Sequence, residues 1–105
     1  MDQKSVKDIK VTSFAQQVRK HFNVDRMLLF GSRATGQALK DSDYDFVIVS
    51  PDFEGMFFTR RPAEMYKYWD YPETLEALCY TPDEFNDKSA QISIVREAVS
   101  RGIPV

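Results

Sequence analysis

The sequence predicts an α+β domain, a two-layer α/β arrangement in which helices pack on a small mixed β-sheet. Three observations predict it. Short apolar runs that stop at glycine or proline, Arg26 to Phe30 and Tyr44 to Val49, read as buried strands. Stretches around them carry apolar residues three and four apart, the spacing of an amphipathic helix. The length of 105 residues, 43% of them hydrophobic, suits one core. Residues 1–105 are therefore read as a single domain.

The elements follow in order. Val11, Phe14, Ala15, Val18 and Phe22 keep a helical period and predict a first helix from about Asp8 to His21. Arg26-Met27-Leu28-Leu29-Phe30 ends at Gly31 and predicts a strand. A second strand runs from Tyr44 to Val49. It is apolar after Asp45, as a strand covered on both faces should be, and Pro51 ends it. Phe53 to Thr59 is an apolar loop. Pro62 suits a helix start, with Ala63, Met65, Tyr66 and Trp69 following, so a second helix is expected to about Asp70. Leu75 to Tyr80 predicts a third strand. Thr81 then reads as an N-cap, with proline and acidic residues in the first turn of a short helical segment through Phe85. Ile92, Val95 and Val99 mark a last helix that Gly102 ends. The expected order is α-β-β-α-β-α.

Composition excludes several classes. No apolar run approaches the roughly 20 residues that span a membrane. The opening MDQKSVKDIK lacks the apolar stretch of a secretion signal. A lone Cys79 rules out an internal disulfide and suits a reducing cytoplasm, the expected location. One His and one Cys argue against zinc. The net charge of -2, with no basic stripe, argues against nucleic acid as a partner.

The most informative stretch is Leu28 to Val49, LLFGSRATGQALKDSDYDFVIV. Gly31 lets the backbone turn sharply and lets a ligand come close. The turn's N–H groups can converge on an anion, the Ser32 hydroxyl can donate to a phosphate oxygen, and Arg33 adds charge. A short helix starting here would add its dipole. With Gly36 this makes G-S-x-x-x-G, which taken alone also reads as an ordinary strand-ending turn. It is neither a P-loop nor a dinucleotide turn.

The second strand opens with Asp43 and Asp45. Residues i and i+2 of a strand share a face, which puts the two carboxylates about 7 Å apart along the chain. Like charges so placed repel unless a cation joins them, and Mg²⁺ accepts a few carboxylates while keeping places for water and phosphate. The alternative is a solvated acidic loop, Asp41-Ser42-Asp43. A calcium loop fails because Phe46 stands where glycine is needed. Glu76 is a charge in an otherwise apolar strand. It either faces solvent or joins the aspartates, and the register that decides this stays open.

With Gly31-Ser32, Gly36 and Asp43-x-Asp45 in this order, the chain resembles the minimal nucleotidyltransferases of the DNA polymerase beta-like superfamily. Tyr66-Lys67-Tyr68-Trp69 and Leu78-Cys79-Tyr80-Thr81-Pro82 resemble the archaeal-type small members. The resemblance implies the polymerase beta-like core. It also implies Mg²⁺-dependent transfer of a nucleoside monophosphate, AMP from ATP, to a hydroxyl acceptor on a protein or small molecule. It places Gly31, Ser32, Arg33 and Gly36 on the nucleotide. Asp43 and Asp45 fall on two Mg²⁺ ions, with Glu76 where such enzymes usually have a third aspartate. By analogy it implies a helical HEPN-type partner, the chain then being the antitoxin of a toxin–antitoxin pair, or a homodimer. The rival is a catalytically weak or inactive module of the same fold that binds nucleotide or docks on a partner, which Glu76 and the small size favour.

Other conspicuous residues carry structural expectations. His21 is expected to meet the dipole of its helix, Cys79 to be buried, and Tyr66 and Trp69 to be core. Arg60 and Arg61 read as a solvated helix start. Exposed aromatics around Phe53–Phe58 would offer a contact surface, against the expectation that they fold into the core.

Overall fold

A computed structural model describes residues 8–35, 43–90 and 94–105. Helix α1 spans Ile9–His21, and Asp8 caps it by accepting a bond from the Lys10 N–H at 2.9 Å. Its buried side is Val11, Phe14, Ala15 and Val18, the predicted stripe, and its last turn is basic. Strand β1 is Arg26–Phe30. A four-residue helix α2, Ser32–Thr35, follows the Gly31 turn. Strand β2 is Tyr44–Val49. Ser50 then accepts from the Asp52 N–H and caps a 3-10 turn, Pro51–Phe53.

The apolar loop divides its residues. Phe53 is buried and packs near Phe22, whereas Phe57 is 83% exposed and Phe58 half exposed. Helix α3 is Arg60–Tyr66, starting earlier and ending sooner than the expected Pro62 to Asp70. Proline is tolerated anywhere in a first turn, where N–H groups have no helical partner. Past Tyr66 the chain continues in tight i to i+3 bonds, Lys67 to Glu64, Tyr68 to Met65 and Trp69 to Tyr66, which mimic helical periodicity.

Strand β3 is Leu75–Tyr80. Thr81 and Glu84 form a reciprocal capping box that starts helix α4, Pro82–Ser89, a full helix where a single turn was expected. Helix α5 is Ile94–Arg101; Ile92 of the expected stripe lies outside the described residues. After Gly102 comes β4, Ile103–Pro104, a strand the sequence does not announce. Two residues carry no alternation to read, and proline sits in a sheet only at an edge.

The four described strands form one mixed sheet in the order β3-β2-β1-β4. The β2/β3 pair is parallel, and β1 runs antiparallel to both β2 and β4. Helices cover both faces. Phe14, Met65 and Trp69 pack with Leu29, Phe46, Ile48 and Cys79 on one side; Phe85, Val95 and Ala98 pack with Leu28, Val47 and Val49 on the other. This double cover is why β2 is apolar after Asp45.

Arg61 corrects the expectation of a solvated arginine pair. It is 4% exposed, donates from Nη1 to the Cys79 carbonyl and from Nε to the Met56 carbonyl, and pairs with Glu84 at 2.6 Å. It ties α3 and the end of β3 to the capping box of α4. Arg60 is exposed as expected. Trp69 is core, but Tyr66 is half exposed and only its hydroxyl turns inward, donating to the Leu75 carbonyl. Among the described residues, no helix is long and apolar enough to cross a membrane.

Candidate active site

Strand β1 ends at Phe30, which lies opposite Asp45 in the antiparallel ladder. The next residue, Gly31, has φ of 76°, a left-handed conformation that favours glycine. Space favours glycine as well: a β-carbon there would stand 2.6 Å from Oδ2 of Asp45, and the carboxylate would have to move. The turn and the second aspartate are therefore packed against one another.

The parallel β2/β3 ladder places Asp45 directly opposite Glu76. Asp43, one residue before β2, shares the face of Asp45. One carboxylate oxygen from each of Asp43, Asp45 and Glu76 lies within 4.8 Å of the other two. The structure thus closes the register left open above, and Glu76 joins the aspartates.

Electrostatics at the cluster are those of crowded anions. The carboxyl of Asp45 is pushed above its usual value, first by burial and then by the charges of Glu76 and Asp43. The donor set is three carboxylates with no sulfur or nitrogen, on a partly open surface, and it fits a hard divalent cation.

Ser32 and Arg33 open α2 directly after the Gly31 turn. The Arg33 guanidinium carbon lies 4.1 Å from the ring centroid of Tyr44. Gly36 lies outside the described residues. Tyr44, between the two aspartates, is buried among Trp69 and Phe46, and its hydroxyl donates to Oδ2 of Asp8 at 2.5 Å. Burial is the main reason its phenol is pushed up to about 12, with the Asp8 bond adding to it. In the sequence Tyr44 marks only the start of a strand; the signal of a further role is an aromatic held between alternate carboxylates. His21 is engaged as expected at the end of α1, its Nδ1 donating to the Gln17 carbonyl while its ring stacks on Tyr68. Cys79 is buried, and burial raises its thiol to about 12, which removes it as a nucleophile.

A glycine turn closes on one of three clustered carboxylates at one end of a mixed sheet, an arrangement that could hold a divalent cation. Residues 11–100 match the model of the nucleotidyltransferase domain family, and the chain belongs to that family. Its activity class is nucleotidyl transfer. Among solved structures it resembles a protein from Sulfolobus solfataricus described as a candidate nucleotidyltransferase. The TM-score is 0.60 at 20% identity, over 75% of this chain and 70% of that one. BolA1 from Arabidopsis thaliana gives 0.58 at 19% identity, over 75% and 98% of the two chains. The BolA domain of SufE1 from the same plant gives 0.59 at 14% identity, over 76% and 99%. These likenesses speak for the fold alone. None of the curated proteins matches the sequence significantly.

Proposed function

We propose that this nucleotidyltransferase transfers AMP from ATP to a hydroxyl on a protein or small-molecule acceptor, with Mg²⁺ held by Asp43, Asp45 and Glu76. The single observation that carries this reading is the convergence of those three carboxylates within 4.8 Å. In the polymerase beta-like enzymes that the chain resembles, two ions are held this way. Bound there, the metal would neutralise the triphosphate and favour ionisation of the attacking hydroxyl.

The chain's own residues have separate tasks. Asp43 and Asp45 anchor the cation from one strand, and Glu76 approaches it from the neighbouring strand. Gly31 holds the turn against Asp45, whose carboxylate fills the space a side chain would need. The family resemblance assigns Ser32, Arg33 and Gly36 to the triphosphate, as hydrogen-bond donors and charge. The choice of ATP rests on the family resemblance. So do a cytoplasmic location and a HEPN-type helical partner or second copy, with this chain as the antitoxin of such a pair. The exposed Phe57 is apolar surface that a partner would cover.

The test is transfer of label from α-labelled ATP in an extract of the source cells, comparing the native chain with Asp43→Asn/Asp45→Asn. Label on a discrete acceptor with the native chain alone supports the reading. No transfer from any of the four nucleoside triphosphates, by protein shown to be folded, overturns it in favour of a silent docking module.

A further inference from the structure

We propose that Tyr44 is a positioning residue: it locks the backbone between Asp43 and Asp45 so that the two carboxylates stay convergent before any metal arrives. The inference rests on the carboxylate reading given under Proposed function and goes beyond it, to a side chain on the opposite face of the strand.

The aspartates have reason to separate. Asp43 is exposed, Asp45 is half-buried, and together with Glu76 they crowd three like charges within 4.8 Å. Repulsion of that kind is relieved by a small rotation of the strand end, and β2 has only just begun there. Tyr44 opposes this at four points. Its N–H donates to the Thr74 carbonyl at 2.9 Å, which carries the pairing beyond the first residue of β3. Its ring is 2% exposed and tilts against Trp69 at 5.0 Å between centroids. The outer face of the ring carries the Arg33 guanidinium at 4.1 Å, within cation–π range. Its hydroxyl donates to Oδ2 of Asp8, whose Oδ1 already accepts from the first turn of α1.

Because successive side chains of a strand point to opposite faces, fixing Tyr44 on one face fixes the direction of both neighbours on the other. The chain Asp8–Tyr44–Arg33 thus joins the start of α1, the metal strand and the phosphate turn. Supporting groups behind metal ligands typically govern affinity by about 10–100-fold.

The test is Mn²⁺ affinity of the nucleotide-free chain, read by electron paramagnetic resonance, with thermal unfolding in parallel. Tyr44→Leu removes ring and hydroxyl and is expected to weaken Mn²⁺ binding by about tenfold or more. Tyr44→Phe keeps the ring, loses only the Asp8 bond, and is expected to lose affinity by a smaller factor. It also keeps the test alive if the leucine variant does not fold. Val18→Ala, a buried change elsewhere in α1, lowers stability and is expected to leave Mn²⁺ binding intact. If Val18→Ala loses as much affinity as the Tyr44 variants at equal stability, or if the Tyr44 variants bind as the native chain does, the proposal is overturned. A native chain with no Mn²⁺ affinity instead overturns the carboxylate reading beneath it.

Discussion

Gly31 and Asp45 are in contact: the Asp45 carboxylate occupies the space that a β-carbon on Gly31 would need, 2.6 Å from Oδ2. Two demands therefore meet at one residue, a φ of 76° and the absence of a side chain. Gly31→Ala is expected to cost about 1–3 kcal/mol from backbone strain. It should also displace Asp45 and so lower metal affinity. Denaturant unfolding and Mn²⁺ titration of the same variant check both, and an alanine variant with native metal affinity would contradict the contact.

Asp45 sets stability against function. Burial and two neighbouring carboxylates raise its folded value above the usual 3.8, so its ionised form weighs against the metal-free fold. Its contribution to stability is fully present below the unfolded value and is lost as pH rises through the folded one. Asp45→Asn should therefore melt higher than the metal-free native chain at neutral pH, while Mn²⁺ raises the melting temperature of the native chain only. Calorimetry with and without Mn²⁺ decides it.

Glu84 behaves in the opposite sense. Its hydrogen bond from Arg61 is the main reason its carboxyl sits below the usual 4.5, with the Thr81 N–H adding to it. That contribution is intact above the unfolded value and is lost as pH falls through the lower folded one. The stability gap between the native chain and Glu84→Gln should then be full at neutral pH and close in the acid range, as unfolding followed over pH would record.

Arg61 is the buried member of that pair, and its guanidinium also serves two carbonyls. Arg61→Met should destabilise by about 2–3 kcal/mol, less than a fully buried pair because Glu84 remains 44% exposed and can be solvated. Mn²⁺ affinity should survive in the folded fraction, which separates this residue from the carboxylate site.

Glu76 and Asp45 face one another across parallel strands, so removing either charge should be felt at the cation. Glu76→Gln keeps the length of the side chain and loses the anion. It should cut transfer activity by about 100-fold or more if Glu76 holds the metal. Near-native transfer by that variant would return Glu76 to an ordinary exposed charge.

The strands Arg26–Phe30, Tyr44–Val49 and Leu75–Tyr80 were legible in the sequence to the residue, as was the helix ending at His21. Each is written in local periodicity, bounded by a glycine, a proline or a cap, and needs no distant partner to be read. The pairing of Asp43 with Asp45 was legible for the same reason, since alternation along one strand is a local rule. The place of Glu76 was not, because it depends on which residue of β3 stands beside Asp45, and only packing of the whole sheet sets a register. The burial of Arg61, the two-residue edge strand β4 and the four-point hold on Tyr44 belong to the same class. Each joins segments far apart in the chain, where the free energy of contact is decided by tertiary packing. The sequence by itself determined the three long strands, the first helix and the aspartate pair; the tertiary structure decided the bounds of α3 and α4, the edge strand β4 and the convergence of the aspartates with Glu76, because these are properties of register and layer packing.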